Sequence, residues 1–371
     1  MEAIADVEAV VARFEDAAVG QADLTAAFDA LAAAAGGTAA ILFCPSEGRA
    51  GITGSAVAAE VQRAYVESGW GETDLLTVGA RKVADGEVVF TQDLIPIQMV
   101  ESNRFFTDFL ERFDMMWAAG WVFTIEDELW CLGVTRGRAQ GPFGESEKAL
   151  LQAVAPRISR SLQLLARSLS LYGRGICASL DVRQRPYVTI NHLGAVAHVS
   201  PSAESILADG PLSVRGGKLF SADPETNDRL EQIALSARVG VRGAENLGLS
   251  PPLEFVAPRV EGRPVIVTAH RMVDSDPYDI LPGVQYLLRL MDVSHQPMAR
   301  EEPIRLLFDL SPREVEIARR LSGGEDAAAA AKALGLQASY VRQVIKSVLA
   351  KTGLKRVHQL IALLARFPDE A

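Results

Sequence analysis

The C-terminal end of the fold is decided by residues 310–364, LSPREVEIARRLSGGEDAAAAAKALGLQASYVRQVIKSVLAKTGLKRVHQLIALL. The stretch opens with Ser311, followed directly by Pro312 and, three residues after the serine, by Glu314. This spacing is typical of a capping box, in which the two side chains each accept a hydrogen bond from the other residue's amide, with proline at the first helical position. The pattern predicts a helix that begins at Pro312.

Glycines divide the rest of the stretch. They stand at Gly323-Gly324, Gly335 and Gly353, and glycine commonly follows the last residue of a helix. The spacing therefore predicts four helices, which begin near residues 312, 326, 338 and 356. Two short helices joined at a glycine turn, the second of them basic, are typical of a helix-turn-helix.

The predicted third helix, from about residue 338 to 352, has two different faces. Its inward face is formed by Val341, Ile345, Val348, Leu349 and Thr352. Its outward face carries Ser339, Arg342, Gln343, Lys346 and Ala350. Residues 338–356 hold five Lys or Arg and no acid. Neutralising phosphates needs such cations, and Arg, Lys, Gln and Ser can read base edges.

We therefore expect this region to contact DNA. The candidate residues are Ser339, Tyr340, Arg342, Gln343, Lys346, Lys351, Lys355 and Arg356. The alternative is a solvated helical bundle with a basic face, which charge alone would favour; the capping box and the glycine stops at fixed spacing favour DNA binding.

The stretch resembles the LuxR-type helix-turn-helix domain, without a gap. The matching positions are Glu314, Gly324, Leu334, Gly335, Val341, Lys351, Gly353 and Leu360. The resemblance implies a four-helix DNA-binding domain, a recognition helix in the major groove and dimerisation through the fourth helix. The chain departs from the family at Gln337, where Ser, Thr or Asn often caps the recognition helix, at Val344, and at Ala328-Ala329.

Charge and composition separate this end from the rest of the chain. Residues 303–371 hold 11 Lys and Arg against 7 Asp and Glu, whereas residues 1–302 hold 26 against 40, and the whole chain of 371 residues has a net charge of −10. A basic end on an acidic body indicates that only the end meets a polyanion. The acidic N-terminus, the absence of a long apolar run and three scattered cysteines predict a cytoplasmic protein.

The first 173 residues predict an α+β domain. Helical patterns over 2–18, 22–35 and 55–68 surround a strand at 38–44, and two aromatic-rich runs, 115–124 and 128–135, predict a hairpin. A helix from Glu145 to Tyr172, kinked at Pro156, should follow. Its apolar residues are spaced alternately by four and three: Leu151, Ala155, Ile158, Leu162, Leu165, Leu169 and Tyr172. This seam predicts either a coiled coil or a helix packed on its own domain.

Residues 174–302 predict a small α+β module. Strands are expected at 187–190, 195–199, 253–256, 265–270 and 284–291, with helices at 201–207 and 223–239. No internal repeat of the first segment is visible. A polar linker, Arg300 to Pro303, should precede the last unit.

Weaker resemblances cover these two segments. Residues 102–170 resemble the GAF-like sensory end of LuxR-type regulators, and residues 187–207 resemble the opening of a PAS-like module. The fold class expected is therefore multidomain α+β. It comprises a GAF-like domain at 1–173 ending in a signalling helix at 145–172, a PAS-like module at 174–302, and an all-α four-helix domain at 303–371.

The first segment also suggests a ligand pocket. Its candidate residues are the aromatic and acidic side chains Tyr65, Trp70, Asp74, Trp117 and Trp121, because apolar, aromatic cavities with one polar anchor are typical small-molecule sites. The alternative is that these aromatic rings fill the core. The positions do not reproduce the pattern by which LuxR-type quorum sensors bind acyl-homoserine lactones.

Catalytic motifs are absent from the sequence. It contains no phosphate loop, zinc-protease or hydrolase signature, so we expect no catalytic residues, no metal and no cofactor; the alternative is haem on His192, His198 or His270. The sequence predicts a DNA-binding transcription regulator whose N-terminal modules sense a small molecule. We expect a homodimer on an inverted-repeat operator, with RNA polymerase as a partner if the protein is an activator. The alternatives are control by a protein partner without a ligand and, less favoured, an enzyme with a GAF-like or PAS-like body.

Overall fold

A computed structural model describes residues 2–45, 51–182, 185–246, 248, 250–272, 280–293 and 298–367 of the chain. The protein is of mixed α+β class, as the sequence predicts, with two five-stranded antiparallel sheets followed by a group of helices. None of the helices in these ranges is both long and apolar enough to cross a membrane.

The first sheet is built from the first 136 residues and is followed by one long helix. In chain order, the elements are α1 (Glu2–Ala18), α2 (Leu24–Ala34), β1 (Ala39–Phe43), β2 (Ile52–Gly54), α3 (Ala58–Glu67), α4 (Leu75–Ala80), β3 (Val88–Phe90), α5 (Thr91–Leu94), α6 (Ile97–Ser102), β4 (Trp117–Ile125), β5 (Glu128–Arg136) and α7 (Glu145–Val182). The predicted helices, strand and hairpin are confirmed, and the strand order is β2-β1-β5-β4-β3.

Alternation along β4 gives this sheet two different faces. One face points toward α7, where the indole nitrogen of Trp121 donates to Ser159 Oγ at 2.9 Å. The other face carries Ala118, Gly120 and Val122 and forms the floor of a cavity. The sheet therefore buries its largest side chains against α7 and leaves space on the opposite side.

Helix α7 is longer than predicted. It runs unbroken through Pro156 and through the predicted domain boundary at residue 173, and it ends at Val182 instead of Tyr172. The physical reason is a second set of buried contacts, because Cys177 packs against Tyr187 and Leu287 of the second sheet. One helix thus packs on both sheets.

The apolar seam predicted on α7 packs against other parts of the same chain. The residues that lie fully buried in the core of the first sheet are Leu151, Ala155, Ile158, Leu162 and Leu165. Leu169 is half-buried, and the last seam position, Tyr172, is 63% exposed. Of the two alternatives, the helix packed on its own domain is the one observed, and the coiled-coil interpretation of this seam is wrong because α1 and the sheet already cover it.

The second sheet follows α7. Its elements are β6 (Tyr187–Asn191), β7 (Val196–Val199), α8 (Pro201–Asp209), β8 (Leu212–Arg215), β9 (Lys218–Ser221), α9 (Pro224–Asn246), β10 (Glu254–Ala257), β11 (Val265–Arg271) and β12 (Val284–Asp292). The five predicted strands and two predicted helices are confirmed. The sequence analysis missed the separate β8–β9 hairpin and the extension of α9 past a non-helical Gly240.

The two large sheets share one topology. The second has the order β10-β11-β12-β6-β7. When the strands of each sheet are numbered along the chain, both orders become 2-1-5-4-3. The sequence shows no repeat because the two sheets share an arrangement of strands and not a pattern of residues.

Within residues 298–367, the C-terminal unit has five helices instead of the four predicted. They are α10 (Glu301–Phe308), α11 (Pro312–Ser322), α12 (Ala327–Leu334), α13 (Ala338–Thr352) and α14 (Val357–Leu364). The four predicted helices are confirmed, but the predicted linker at 300–303 is wrong, because α10 begins there. Pro303 lies in the first turn, where proline is tolerated, and the Arg300 amide donates to the Phe367 carbonyl at 2.7 Å.

Candidate functional site

The C-terminal unit is held by a network around Glu314. The Ser311 amide donates to Glu314 Oε2 at 2.7 Å, and the Glu314 amide donates in return to Ser311 Oγ at 3.4 Å, which is the predicted capping box. The other contacts of the carboxylate come from α13: Ser347 Oγ donates to Oε1 at 2.7 Å and Lys351 Nζ to Oε2 at 2.8 Å. The network therefore joins the start of α11 to the end of α13.

The electrostatics of Glu314 follow from these contacts. The side chain is buried, and burial raises the pKa of a carboxyl group. Hydrogen bonds from Lys351, from Ser347 and from Ser311 outweigh burial and lower the pKa of Glu314 to about 2. Glu314 is thus charged near neutral pH and supports the position of α13.

Helix α13 packs through one apolar face. Its buried residues are Val341, Val344, Ile345 and Val348, which lie in the same core as α11 and α12. The facing residues of α12, Ala330 and Ala331, are small and buried, so the two helices approach closely. The predicted inward face is confirmed, with Leu349 and Thr352 half-buried at its edge.

The opposite face of α13 is open. Its exposed residues are Ser339, Tyr340, Arg342, Gln343 and Lys346. The side chains of Arg342 and Lys346 have no carboxylate partner among the described residues. A pair of uncompensated cations one helical turn apart can bind an anion such as a phosphate.

The remaining basic candidates differ from these two. Lys351 Nζ is held by Glu314 and by the Asp309 carbonyl, at 2.6 Å from the latter, so it lies in the internal network. Lys355 and Arg356 are exposed in the turn between α13 and α14. The structure thus separates one structural lysine from a group of open cations.

A cavity of about 490 Å³ lies over the first sheet. Its floor is the small-residue face of β4 and β5, and α3, α4 and residues 105–110 form its walls. Three of the five predicted pocket residues, Tyr65, Asp74 and Trp121, line it. Its volume falls within the roughly 300–1,000 Å³ typical of small-molecule sites.

The polar centre of this cavity is Asp74. The residue caps α4, because its Oδ1 accepts from the Thr77 amide at 3.0 Å, and its Oδ2 accepts from Tyr65 Oη at 3.0 Å and Thr77 Oγ1 at 2.6 Å. Burial, and then the negative charge of Asp74, raise the pKa of the Tyr65 phenol. Among the described residues, all the hydrogen-bond donors to the Asp74 carboxylate are neutral groups.

The tryptophans mostly serve the core. Trp70 is not a lining residue and instead stacks on Phe109, with 5.5 Å between ring centroids. Trp117 is also outside the lining, and its indole nitrogen is buried without a hydrogen-bond partner among the described residues. Trp121 reaches the cavity, although its indole nitrogen bonds on the other side of the sheet. The alternative that aromatic rings fill the core therefore holds for Trp70 and Trp117.

The sequence analysis did not select most of the lining residues, and two of those are polar and interact with Asp74, namely Thr77 and Cys131. Thr77 completes the pattern Asp-x-x-Thr of a helix N-cap, which could have been read from the sequence. Cys131 faces the cavity from β5, and burial together with the charge of Asp74 raises the pKa of its thiol to about 12. Alternation within the predicted hairpin could have placed Cys131 opposite the tryptophan face.

One of the three candidate histidines, His192, lies between the two sheets. His192 Nε2 lies 2.7 Å from Glu128 Oε2, and its Nδ1 accepts from the Gly283 amide at 3.2 Å, so both ring nitrogens are engaged. This contact joins a turn of the second sheet to the hairpin of the first. Within the described ranges, no group of three or more His, Cys, Asp or Glu is arranged to hold a metal ion.

No protein-family model matches the chain, and a search of curated proteins finds no match.

Proposed function

We propose that the protein is a sequence-specific DNA-binding transcription regulator of the LuxR type, with α13 as its recognition helix. The observation that carries this proposal is the open face of α13, where Arg342 and Lys346 stand exposed and without carboxylate partners. The buried face of the same helix fixes its orientation on α11 and α12. Cations on a rigid helix, beside Ser339 and Gln343, suit phosphate and base-edge contacts in a major groove.

The acidic body has the role of a sensor in this proposal. The first sheet would be a GAF-like module and the second a PAS-like module, which the shared strand order supports. The cavity around Asp74 would take a small molecule. Occupancy would bias DNA binding only if the ligand prefers one arrangement of the protein over another.

Two copies of the chain would bind one operator. A two-fold dimer places its recognition helices about one DNA turn apart, so we expect an inverted repeat. The seam of α7 is occupied within the chain, which leaves α14 as the proposed dimer contact.

The test measures DNA binding with the full chain. Genomic fragments retained by the purified protein are sequenced, and the enriched site is titrated by fluorescence anisotropy. The double variant Arg342→Ala, Lys346→Ala should lose at least about 100-fold in affinity, because each lost bidentate contact costs roughly 1–3 kcal/mol. The matched control is Arg305→Ala, Arg366→Ala, which removes the same charge from exposed positions outside α13.

Two results would contradict the proposal. One is undiminished binding by the α13 variant, and the other is equal loss in both variants, which would indicate a general charge effect. Monomer alone in light scattering, both free and on DNA, would contradict the dimer.

A further inference from the structure

The outer face of α7, opposite the seam that packs on the first sheet, carries apolar side chains in solvent. Leu164 and Leu171 are 50% and 54% exposed, and they lie seven residues apart, which is two helical turns. Ser168, Gly175 and Ala178 are exposed on the same face, so these five positions follow one another in steps of four and three. This is the spacing of a coiled-coil seam. Helix α7 therefore has a second, outer seam that is open to solvent in the described part of the chain.

Gly175 on the outer seam has no packing reason within the described residues. Glycine inside a helix costs stability relative to alanine, and the close approach of another element is a common reason to keep it. Gly173, on the inner side, shows such an approach, since a Cβ there would lie 3.3 Å from the Val284 side chain of β12. A Cβ on Gly175 would meet nothing within 4 Å. A second helix on the outer seam would supply the close contact that Gly175 permits.

A column of arginines borders the outer seam. Arg160, Arg167 and Arg174 are exposed, are again seven residues apart, and have no carboxylate partner among the described residues. Arg157 on the same helix is instead paired with Glu8 and Glu15 of α1. Like charges repel at short range, so the column restricts how another helix can lie on the seam.

The arginine column selects a parallel orientation for two copies of α7. With the leucines at heptad position d, the arginines occupy position g and Tyr172 occupies position e. In an antiparallel pair g faces g, so the two arginine columns would meet, whereas in a parallel pair g faces e of the other helix. Arg167 of each copy then lies against Tyr172 of the other, which is 63% exposed in the single chain. A guanidinium over a tyrosine ring is a favourable contact.

We propose that the outer seam of α7 pairs with the same seam of a second copy of the chain, as a parallel, in-register coiled coil. A parallel pair has a two-fold axis along the helices and sends both chains toward the same end. The contact shares the homodimer with the proposed function and adds to α14, but it needs no DNA. Two contacts along one chain strengthen each other, because the first makes the second intramolecular.

The first experiment is oxidative cross-linking of the full chain with copper phenanthroline in the absence of DNA. Leu164→Cys and Leu171→Cys, made separately, should each give a disulfide-linked dimer well above the level of the unmodified chain. Cross-linking at both positions requires a parallel, in-register pair, because an antiparallel pair brings at most one of them next to its own copy. The matched control is Gln163→Cys, which is exposed but lies off the seam and should cross-link no more than the unmodified chain.

The second experiment measures the dimer dissociation constant by sedimentation equilibrium. Leu164→Glu, Leu171→Glu should raise it at least tenfold, because four carboxylates would meet at the seam. Both leucines are at least half exposed, so circular dichroism of this variant should be unchanged. The control Leu193→Glu, Leu253→Glu adds the same charge at exposed leucines of the second sheet and should leave the dissociation constant unchanged.

The proposed DNA contact can fail independently of this pairing. The double variant Arg342→Ala, Lys346→Ala should cross-link at position 171 as fully as the chain with Leu171→Cys alone, whatever its affinity for DNA. Three results would overturn the pairing of α7: cross-linking at fewer than both leucine positions, equal cross-linking of Gln163→Cys, or an unchanged dissociation constant in Leu164→Glu, Leu171→Glu.

Discussion

Two buried carboxylates, one over the first sheet and one in the C-terminal unit, begin from the same local structure and differ in one partner. Asp74 and Glu314 each hold the first turn of a helix and each accept from a hydroxyl group, of Thr77 and Ser347 respectively. The remaining donor to Asp74 is the neutral Tyr65 phenol, whereas the remaining donor to Glu314 is the Lys351 ammonium.

The difference in partner accompanies a difference in surroundings. Glu314 lies between helices, and its charge is compensated at 2.8 Å by Lys351. Asp74 lines a cavity. Arg81 lines the same cavity, and its Nε donates a hydrogen bond to the Pro45 carbonyl oxygen at 2.6 Å. Removing one member of a buried ion pair leaves the other charge uncompensated, so the loss of Glu314 should destabilise the fold. Asp74 instead lies at a cavity, where its loss should affect the local electrostatics more than the fold.

The largest effect is expected at Glu314. Its pKa of about 2 in the folded state lies below the ordinary value of 4.5, so its stabilisation is complete above about pH 4.5 and is lost as the pH falls toward 2. Glu314→Gln should remove about 3 kcal/mol at pH 7 and flatten the dependence between pH 4.5 and 2. Hydrogen exchange of α11 and α13 in the full chain, measured across this pH range, checks both effects.

Glu316→Gln is the control for this prediction, because Glu316 is an exposed residue of α11 paired with Arg313. It should change exchange very little, since exposed ion pairs contribute roughly 0–1 kcal/mol. Equal effects of the two substitutions would mean that Lys351 does not stabilise the unit through Glu314.

A smaller effect on stability, with a clear spectroscopic signature, is expected at Asp74. Asparagine also caps helices, so Asp74→Asn should cost only about 1 kcal/mol. The substitution removes the negative charge that helps to raise the pKa of Tyr65 and of Cys131. Tyrosinate absorbance should therefore titrate at lower pH, and Cys131 should react faster with a thiol reagent at alkaline pH.

Tyr65→Phe assigns the absorbance change, because it removes the phenol and leaves the Thr77 contacts of Asp74 in place. An unaltered tyrosine titration in Asp74→Asn would show that burial alone accounts for the raised pKa of Tyr65. The charge of Asp74 would then have no measurable effect on its neighbours, and the contrast between Asp74 and Glu314 would not hold.

Local sequence signals predicted most of the elements. The capping box at Ser311 and the glycine stops located the C-terminal helices because these signals act within one helical turn. The β4–β5 hairpin was also predicted, from two aromatic-rich runs separated by a short turn. The extension of α7 was not predicted, since it depends on contacts of Cys177 with strands that lie elsewhere in the chain.

The cavity was harder to predict than the elements. Asp74 and Tyr65 were chosen correctly as lining residues, but Trp117 was not, because the sequence does not say which face of β4 meets α7.

The smallest effect concerns helix caps in the C-terminal unit. Asp326 caps α12, with Oδ1 accepting from the amides of Ala328 and Ala329 at 2.9 and 2.7 Å, whereas Gln337 makes no side-chain cap on α13. Gln337→Ser should therefore stabilise α13 by about 0.5–1 kcal/mol, and Asp326→Ala should destabilise α12 by about 1 kcal/mol. Slower hydrogen exchange at the first amides of α13, relative to those of α12, measures the gain. Unchanged exchange in Gln337→Ser would mean that these amides already have hydrogen-bond acceptors in solution. A side-chain cap at this position would then add no stability to the unit, in contrast to Lys351 beside Glu314.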